Sequence, residues 1–215
     1  MRLQKKAVIF DLDGVICFTD RFHYQAWKTL ADSLDIYFDE KINNRLRGVS
    51  RMASLEIILE KAKKEYTQEE KKLFAEKKND LYRDLLKNMS PADLSEEVRD
   101  TLQELRKRGY RLAIGSSSKN TKFILERIGL DGFFDAVADG TDITHSKPSP
   151  EVFLVAAEKL GEKPEDCAVV EDARAGIEAA KAAGMTALAL FGDAKECGLE
   201  DYDLTGFGNL LDLLQ

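Results

Sequence analysis

Five short runs, Ala7–Asp11, Arg111–Gly115, Phe134–Ala138, Cys167–Glu171 and Thr186–Leu190, are rich in aliphatic residues, and each gives way to a polar turn and then to helical periodicity. Runs that are apolar on both faces are what the strands of a parallel sheet need when helices cover both sides. The intervening helices are marked at their ends. Ser95 precedes Val98, Leu102 and Leu105, with Gly109 closing; Asn120 precedes Phe123, Ile124 and Ile128, with Gly129 closing. A third is expected to take Ser149 as N-cap and Pro150 as its first helical residue, to run from Phe153 to Leu160, and to stop at Gly161. This alternation predicts an α/β core with a doubly wound, Rossmann-like parallel sheet.

Between Cys17 and about Ser90 the strand signal vanishes. Phe22, Ala26, Leu30 and Leu34 recur at helical spacing, as do Ile42 with Leu46, Leu55 with Leu59, and Phe74 with Leu81 and Leu85. Thr67 and Glu70 have capping-box spacing at the start of the last of these helices. The reading is an inserted α-helical cap domain of four helices over 17–89, within a core domain formed by 1–16 and 90–215. Linkers near 15–20 and 88–94 would act as a hinge pair.

At 215 residues the chain is long enough for one core domain and a modest insertion. A net charge of −7 argues against a nucleic-acid partner, because binding a phosphate backbone needs a basic surface. Cys17, Cys167 and Cys197 are odd in number and widely spaced, without a CxxC pair, which suits a reducing cytoplasm better than a zinc or redox site. The opening MRLQKKAVIFDLDG offers too short an apolar stretch for a signal peptide or a membrane span. The expectation is a cytoplasmic monomer that partners neither membrane nor nucleic acid.

Ligands of an open parallel sheet bind beyond the carboxyl ends of its strands. Three of those ends carry acids or hydroxyls: Asp11-Leu12-Asp13-Gly14, Ser116 to Asn120, and Glu171-Asp172; Lys147 lies in the loop before another helix. Asp11 and Asp13, two apart in extended chain, point to one side, and Gly14 lets the backbone turn away. Like charges so close need an offset, and oxygen-only ligands with room for water suit Mg2+ rather than zinc. Asp172 is the natural third oxygen.

The ordered set Asp11-x-Asp13, Ser116, Lys147 and Glu171-Asp172 resembles the four motifs of the haloacid dehalogenase-like superfamily, and the helical insertion resembles that family's cap. More locally, Phe10 to Ile16, His23, Trp27, Gly48 to Arg51, Lys78-Asn79, Ser90 to Ala92 and Ser118 to Asn120 resemble the β-phosphoglucomutase branch of that superfamily. The resemblance implies that Asp11 is a nucleophile forming an aspartyl-phosphate and Asp13 a general acid and base. It implies Mg2+ held by Asp11, Asp172 and the backbone carbonyl of Asp13, assisted by Glu171, with Ser116, Ser117 and Lys147 binding the transferred phosphoryl group. It implies a sugar phosphate substrate met by Thr19, His23, Trp27, Arg47, Gly48, Val49, Ser50, Arg51, Lys78, Ser118, Lys119 and Asn120, with Thr19 a gate in the first hinge. Arg47 stands where the family pattern often has lysine, a change able to shift sugar preference.

The branch-level resemblance implies interconversion of β-glucose 1-phosphate and glucose 6-phosphate through a bound 1,6-bisphosphate, a closing cap excluding water. A Mg2+-dependent sugar phosphatase is the alternative. A phospho-receiver module is a third reading, disfavoured because it needs neither a lid nor a second acid at residue 13.

Overall fold

In the computed structural model of the protein, the described residues are 3–46 and 50–214. Six parallel strands form one sheet: β1 (Ala7–Phe10), β2 (Arg111–Gly115), β3 (Ala136–Ala138), β4 (Cys167–Glu171), β5 (Thr186–Ala189) and β6 (Tyr202–Asp203). Nine α-helices are described: α1 (Asp20–Ser33), α2 (Glu40–Asn44), α3 (Arg51–Leu59), α4 (Gln68–Leu86), α5 (Glu96–Lys107), α6 (Thr121–Arg127), α7 (Glu151–Leu160), α8 (Arg174–Ala182) and α9 (Leu210–Leu213). The strand order β3-β2-β1-β4-β5-β6 is that of a doubly wound sheet, with the chain reversing its direction of travel between β1 and β4.

Alternation along the strands divides the core in two. Ala7, Ile9, Ala113, Val169, Ala187 and Ala189 face Val152, Phe153, Ala156, Leu160, Ile177 and Ala180 of α7 and α8 in one buried cluster. On the other face Phe10 stacks on Phe207 at 5.6 Å between ring centroids and lies 6.3 Å from Phe134. Phe153 is fully buried and its ring fills the space beside Gly115, where a Cβ would come within 2.7 Å of it. Truncating such a ring to alanine costs about 3–5 kcal/mol.

The chain divides into two compact units, Met1–Phe18 with Ser90–Gln215, and Thr19–Met89. In the second unit α1 and α3 both pack on α4. Trp27, Leu30, Leu55, Ile58 and Ala75 belong to its buried cluster, with Phe38, Ile42 and Leu46. The capping box at Thr67 is formed: its hydroxyl accepts the Glu70 N–H at 3.2 Å, and the Glu70 carboxylate accepts the Thr67 N–H at 2.7 Å.

The structure departs from the sequence reading in detail: β1 and β5 each end one residue earlier than expected and β3 begins two residues later. Helix α7 begins at Glu151 with Pro150 as N-cap, one residue later than expected, and the Ser149 hydroxyl accepts the Glu151 N–H at 3.4 Å. The buried stripe of α4 is Ala75, Lys78, Tyr82 and Leu86, rotated from Phe74, Leu81 and Leu85, which are only half-buried. The two-residue β6 is too short to carry a periodic signal. Gly161 closes α7 at φ +72°, the left-handed conformation a helix terminus reserves for glycine. No helix among the described residues is long and apolar enough to cross a membrane.

Candidate active site

Strand register places the acids side by side. Phe10 pairs with Ile114 on one flank and Val170 on the other, so Asp11, Gly115 and Glu171 leave the sheet at one level. The Asp11 N–H extends the ladder by donating to the Val170 carbonyl at 3.0 Å. The chain then turns tightly: the Ile16 and Cys17 N–H groups donate to the Leu12 carbonyl at 3.0 and 3.2 Å, and the Gly14 N–H donates to the Cys17 carbonyl at 2.8 Å. Gly14 has φ +92°, which a residue with a Cβ rarely adopts. Asp13, on this turn, is half-buried.

Carboxylate oxygens of Asp11, Glu171 and Asp172 lie within 4.8 Å of one another. The side chain of Asp13 is not in that group. Lys147, arriving from the loop between β3 and α7, places its Nζ 2.5 Å from Asp11 Oδ1 and 2.5 Å from Glu171 Oε1. Its ammonium lies 4.6 Å from the centre of the Phe153 ring, so the apolar cluster beneath the sheet end supports the charge above. Glu171 is further held at Oε2 by the N–H groups of Asp172 at 3.0 Å and Ala173 at 3.2 Å.

One ammonium cannot offset three carboxylates. Burial lowers the pKa of Lys147, but Asp11 and Glu171 outweigh it and hold the lysine above its ordinary value, so it stays protonated. Burial pushes Glu171 up and Lys147 only partly restores it, leaving it at about 7. Asp172 is pushed to about 8, first by burial and then by the carboxylates of Glu171 and Asp11. The excess negative charge is what a hard divalent cation would relieve, and an all-carboxylate donor set suits such an ion. These three residues would hold it.

The segment after β2 is organised by its own hydroxyls. Ser116 Oγ accepts the Ser118 N–H and Ser118 Oγ accepts the Asn120 N–H, each at 3.2 Å. Accepting that bond leaves the buried Ser116 hydroxyl its own proton to donate to an anion. Gly140 donates to the Ser118 carbonyl at 3.1 Å, and the Lys147 N–H reaches Ser117 Oγ at 3.5 Å, tying the segment to the Lys147 loop. Lys119 is exposed and Asn120 buried.

In the helical unit the structure gathers His23, Trp27 and Lys78. Lys78 Nζ lies 2.9 Å from His23 Nδ1, and 4.7 and 4.6 Å from the ring centres of Trp27 and Tyr82. His23 stacks on Tyr82 at 4.1 Å. An ammonium only donates, so Nδ1 accepts and the neutral ring carries its proton on Nε2. Burial, then Lys78 and Arg51, hold the His23 pKa well below the usual histidine value. Arg51, the first residue of α3, donates to Asn79 Oδ1 at 2.8 Å. Ser50 caps α3 by accepting the Ala53 N–H at 3.3 Å. Thr19 is buried at the start of α1, its carbonyl accepting the N–H groups of Phe22 and His23 at 2.8 and 3.1 Å. Arg47, Gly48 and Val49 lie outside the described residues.

Sequence reasoning passed over Tyr82 and Phe153 as site residues. Tyr82 stands one turn after Lys78, a spacing that points to it once Lys78 is known to face inward. Phe153 carries no local signal, since its place under Lys147 depends on the packing of α7 across the sheet.

Residues 5–184 match the haloacid dehalogenase-like hydrolase family. The chain belongs to this family. It is 44% identical over 185 residues to the beta-phosphoglucomutase of Bacillus subtilis (strain 168), covering 85% of this chain and 82% of that one. It is 32% identical over 183 residues to the phosphorylated carbohydrates phosphatase of Thermotoga maritima, covering 84% and 82% of the two chains. The crystal structure of beta-phosphoglucomutase from Clostridium difficile superposes with a TM-score of 0.89 at 35% identity, covering 96% of this chain and 93% of that one. Haloacid dehalogenase-like architecture thus accounts for both the doubly wound sheet and the helical segment inserted after β1.

Proposed function

We propose that the protein is a β-phosphoglucomutase, interconverting β-D-glucose 1-phosphate and glucose 6-phosphate through an aspartyl-phosphate and a bound glucose 1,6-bisphosphate, with Mg2+ as its cation. The observation that carries phosphoryl transfer is the buried contact of Lys147 with both Asp11 and Glu171, beside Asp172. The choice of a sugar hydroxyl over water as acceptor is supported by the His23, Trp27 and Lys78 constellation, whose apolar faces and fixed donors suit a sugar ring. Likeness to the B. subtilis beta-phosphoglucomutase supports the same choice.

In this reading an oxygen of Asp11 attacks phosphorus as the bond to the sugar oxygen breaks, and Asp13 gives that leaving oxygen a proton. In the second half-reaction Asp13 takes the proton of the incoming hydroxyl, whose oxygen displaces Asp11 from phosphorus. Both halves balance, since the proton that Asp13 spends is recovered. Lys147 aims the Asp11 carboxylate, and its charge with the Ser116 hydroxyl stabilises the equatorial oxygens. Bound Mg2+ supplies neutralisation of the phosphoryl charge. Asp11, Glu171 and Asp172, with the Asp13 backbone carbonyl, would hold it. Arg51, Ser118, Lys119 and Asn120 are proposed to hold the phosphate that is not being transferred; Thr19, Arg47, Gly48, Val49 and Ser50 complete the proposed substrate set.

A small-molecule phosphatase is the second reading, favoured by the likeness to the T. maritima phosphatase. Supplying β-glucose 1-phosphate, Mg2+ and a trace of the bisphosphate separates the two. Glucose 6-phosphate is the expected product; inorganic phosphate in large excess over it would sink the mutase assignment.

A further inference from the structure

Glu171 and Asp172 are pressed against main chain that carries no side chain. A Cβ on Gly176 would stand 1.9 Å from both Cδ and Oε1 of Glu171 and 2.4 Å from Oε2. A Cβ on Gly14 would stand 2.1 Å from Oδ2 of Asp172 and 2.5 Å from its Cγ. Each carboxylate therefore occupies volume that any other residue would fill. Gly14 also has φ +92°, so its identity is explained twice over. Gly176 is different. It lies in the first turn of α8 in ordinary helical conformation, a place where alanine is the better helix former. Glycine there runs against local preference, and such conflicts collect where a site needs them.

We propose that Gly176 is a positioning residue for the acid cluster. Its missing Cβ lets the Glu171 carboxylate lie over the first turn of α8, one oxygen on the N–H groups of Asp172 and Ala173 and the other on Lys147. Glu171 and Asp11 then grip the same ammonium from two strands, and the spacing of the three carboxylates follows. A methyl at residue 176 displaces the Glu171 carboxylate and releases one side of Lys147. The consequence for cation affinity rests on the proposed Mg2+ site; the steric coupling does not.

The test compares wild type with Gly176→Ala, Glu171→Asp and the double variant. Calorimetric titration with Mg2+ should show affinity weakened about tenfold or more by Gly176→Ala, the scale expected when a group that orients a ligand is disturbed. Glu171→Asp withdraws the carboxylate by one methylene, so the double variant should bind no more weakly than Gly176→Ala alone. Affinity within about twofold of wild type in Gly176→Ala, or losses that simply multiply in the double variant, overturns the proposal. Urea unfolding of the four cation-free proteins reads the same coupling without Mg2+. If wild type binds no Mg2+, the cation reading fails, and the proposal stands on non-multiplicative unfolding constants or falls on multiplicative ones. Should Gly176→Ala not fold, recovery of folding in the double variant supports the proposal and its absence refutes it.

Discussion

At the carboxyl end of the sheet, three carboxylates cluster and two of them share one buried ammonium; in the helical unit, a buried ammonium rests on an imidazole nitrogen and two aromatic faces. In the first, burial and then the neighbouring carboxylates raise the pKa values of Glu171 and Asp172. In the second, burial lowers those of His23 and Arg51, and the positive charges of Lys78 and Arg51 lower that of His23 further. An excess of one sign in a dry place invites a ligand of the other. The acid cluster suits a cation and the basic cluster a polar, anionic molecule, and the proposed function assigns the metal to the first and the sugar to the second.

The sharpest way to break this division is to remove the proposed nucleophile. Asp11→Asn should lower phosphoryl transfer by at least about 10⁴-fold while leaving the far-ultraviolet circular dichroism unchanged, as expected when a covalent mechanism loses its attacking atom. Substantial turnover in that variant would remove Asp11 from the chemistry, whatever its contacts.

Removing each lysine tests the contrast in stability. Lys147→Met leaves Asp11 and Glu171 facing each other without their cation, a loss of about 3–5 kcal/mol when a buried pair is broken from one side. Lys78→Met leaves a neutral imidazole and two rings, and only about 1–2 kcal/mol is expected from the lost hydrogen bond and ring contacts. Urea unfolding of the cation-free variants reads both, and equal losses would erase the distinction between the clusters. Mg2+ should restore much of the first loss and none of the second.

These clusters were not equally legible in the sequence. Asp11, Glu171 and Asp172 stand at strand ends, and a parallel sheet puts strand ends together whatever the details of packing, so short aliphatic runs followed by acids were enough to gather them. Lys147 came from a loop, and only the family resemblance gave it a role; that it binds Asp11 and Glu171 directly is set by α7 and Phe153, which no local pattern records. In the helical unit periodicity found the helices but misplaced the stripe of α4 by one position. Hydrophobic counting favoured Phe74, Leu81 and Leu85, whereas the inward face carries Lys78 and Tyr82. A functional polar residue on a buried face inverts the signal that amphipathicity relies on.

Acidity should act on the two regions with opposite sign. Glu171 and Asp172 have folded-state pKa values of about 7 and about 8, above those of the unfolded chain. Between roughly pH 5 and 8 the folded protein therefore holds protons that the unfolded chain has lost, and the cation-free protein loses stability as pH rises through that window. Carboxylates held below their ordinary range, such as Asp166 and Glu151, have finished titrating there. His23 works the other way: kept neutral in the fold, it makes the protein less stable as pH falls below about 6.5, where the unfolded chain takes up a proton. Urea unfolding across this range should show a falling slope that Asp172→Asn flattens and a low-pH loss that His23→Gln relieves. Mg2+ affinity should rise with pH over the same window, with proton release measurable by calorimetry in two buffers.

The smallest expected effect separates structure from site within α4. Thr67→Ala removes the hydroxyl of the capping box and should destabilise the protein by about 1 kcal/mol. Thr67 stands eleven residues, three turns, before Lys78, and fraying of the first turn does not travel that far. The nitrogen resonances of His23, one of two histidines in the chain, should then keep the signature of a proton on Nε2 in Thr67→Ala and change in Lys78→Met. If the cap substitution moved them as much as the lysine substitution does, the imidazole would be responding to the helix as a whole, and the ammonium could not be what fixes its tautomer.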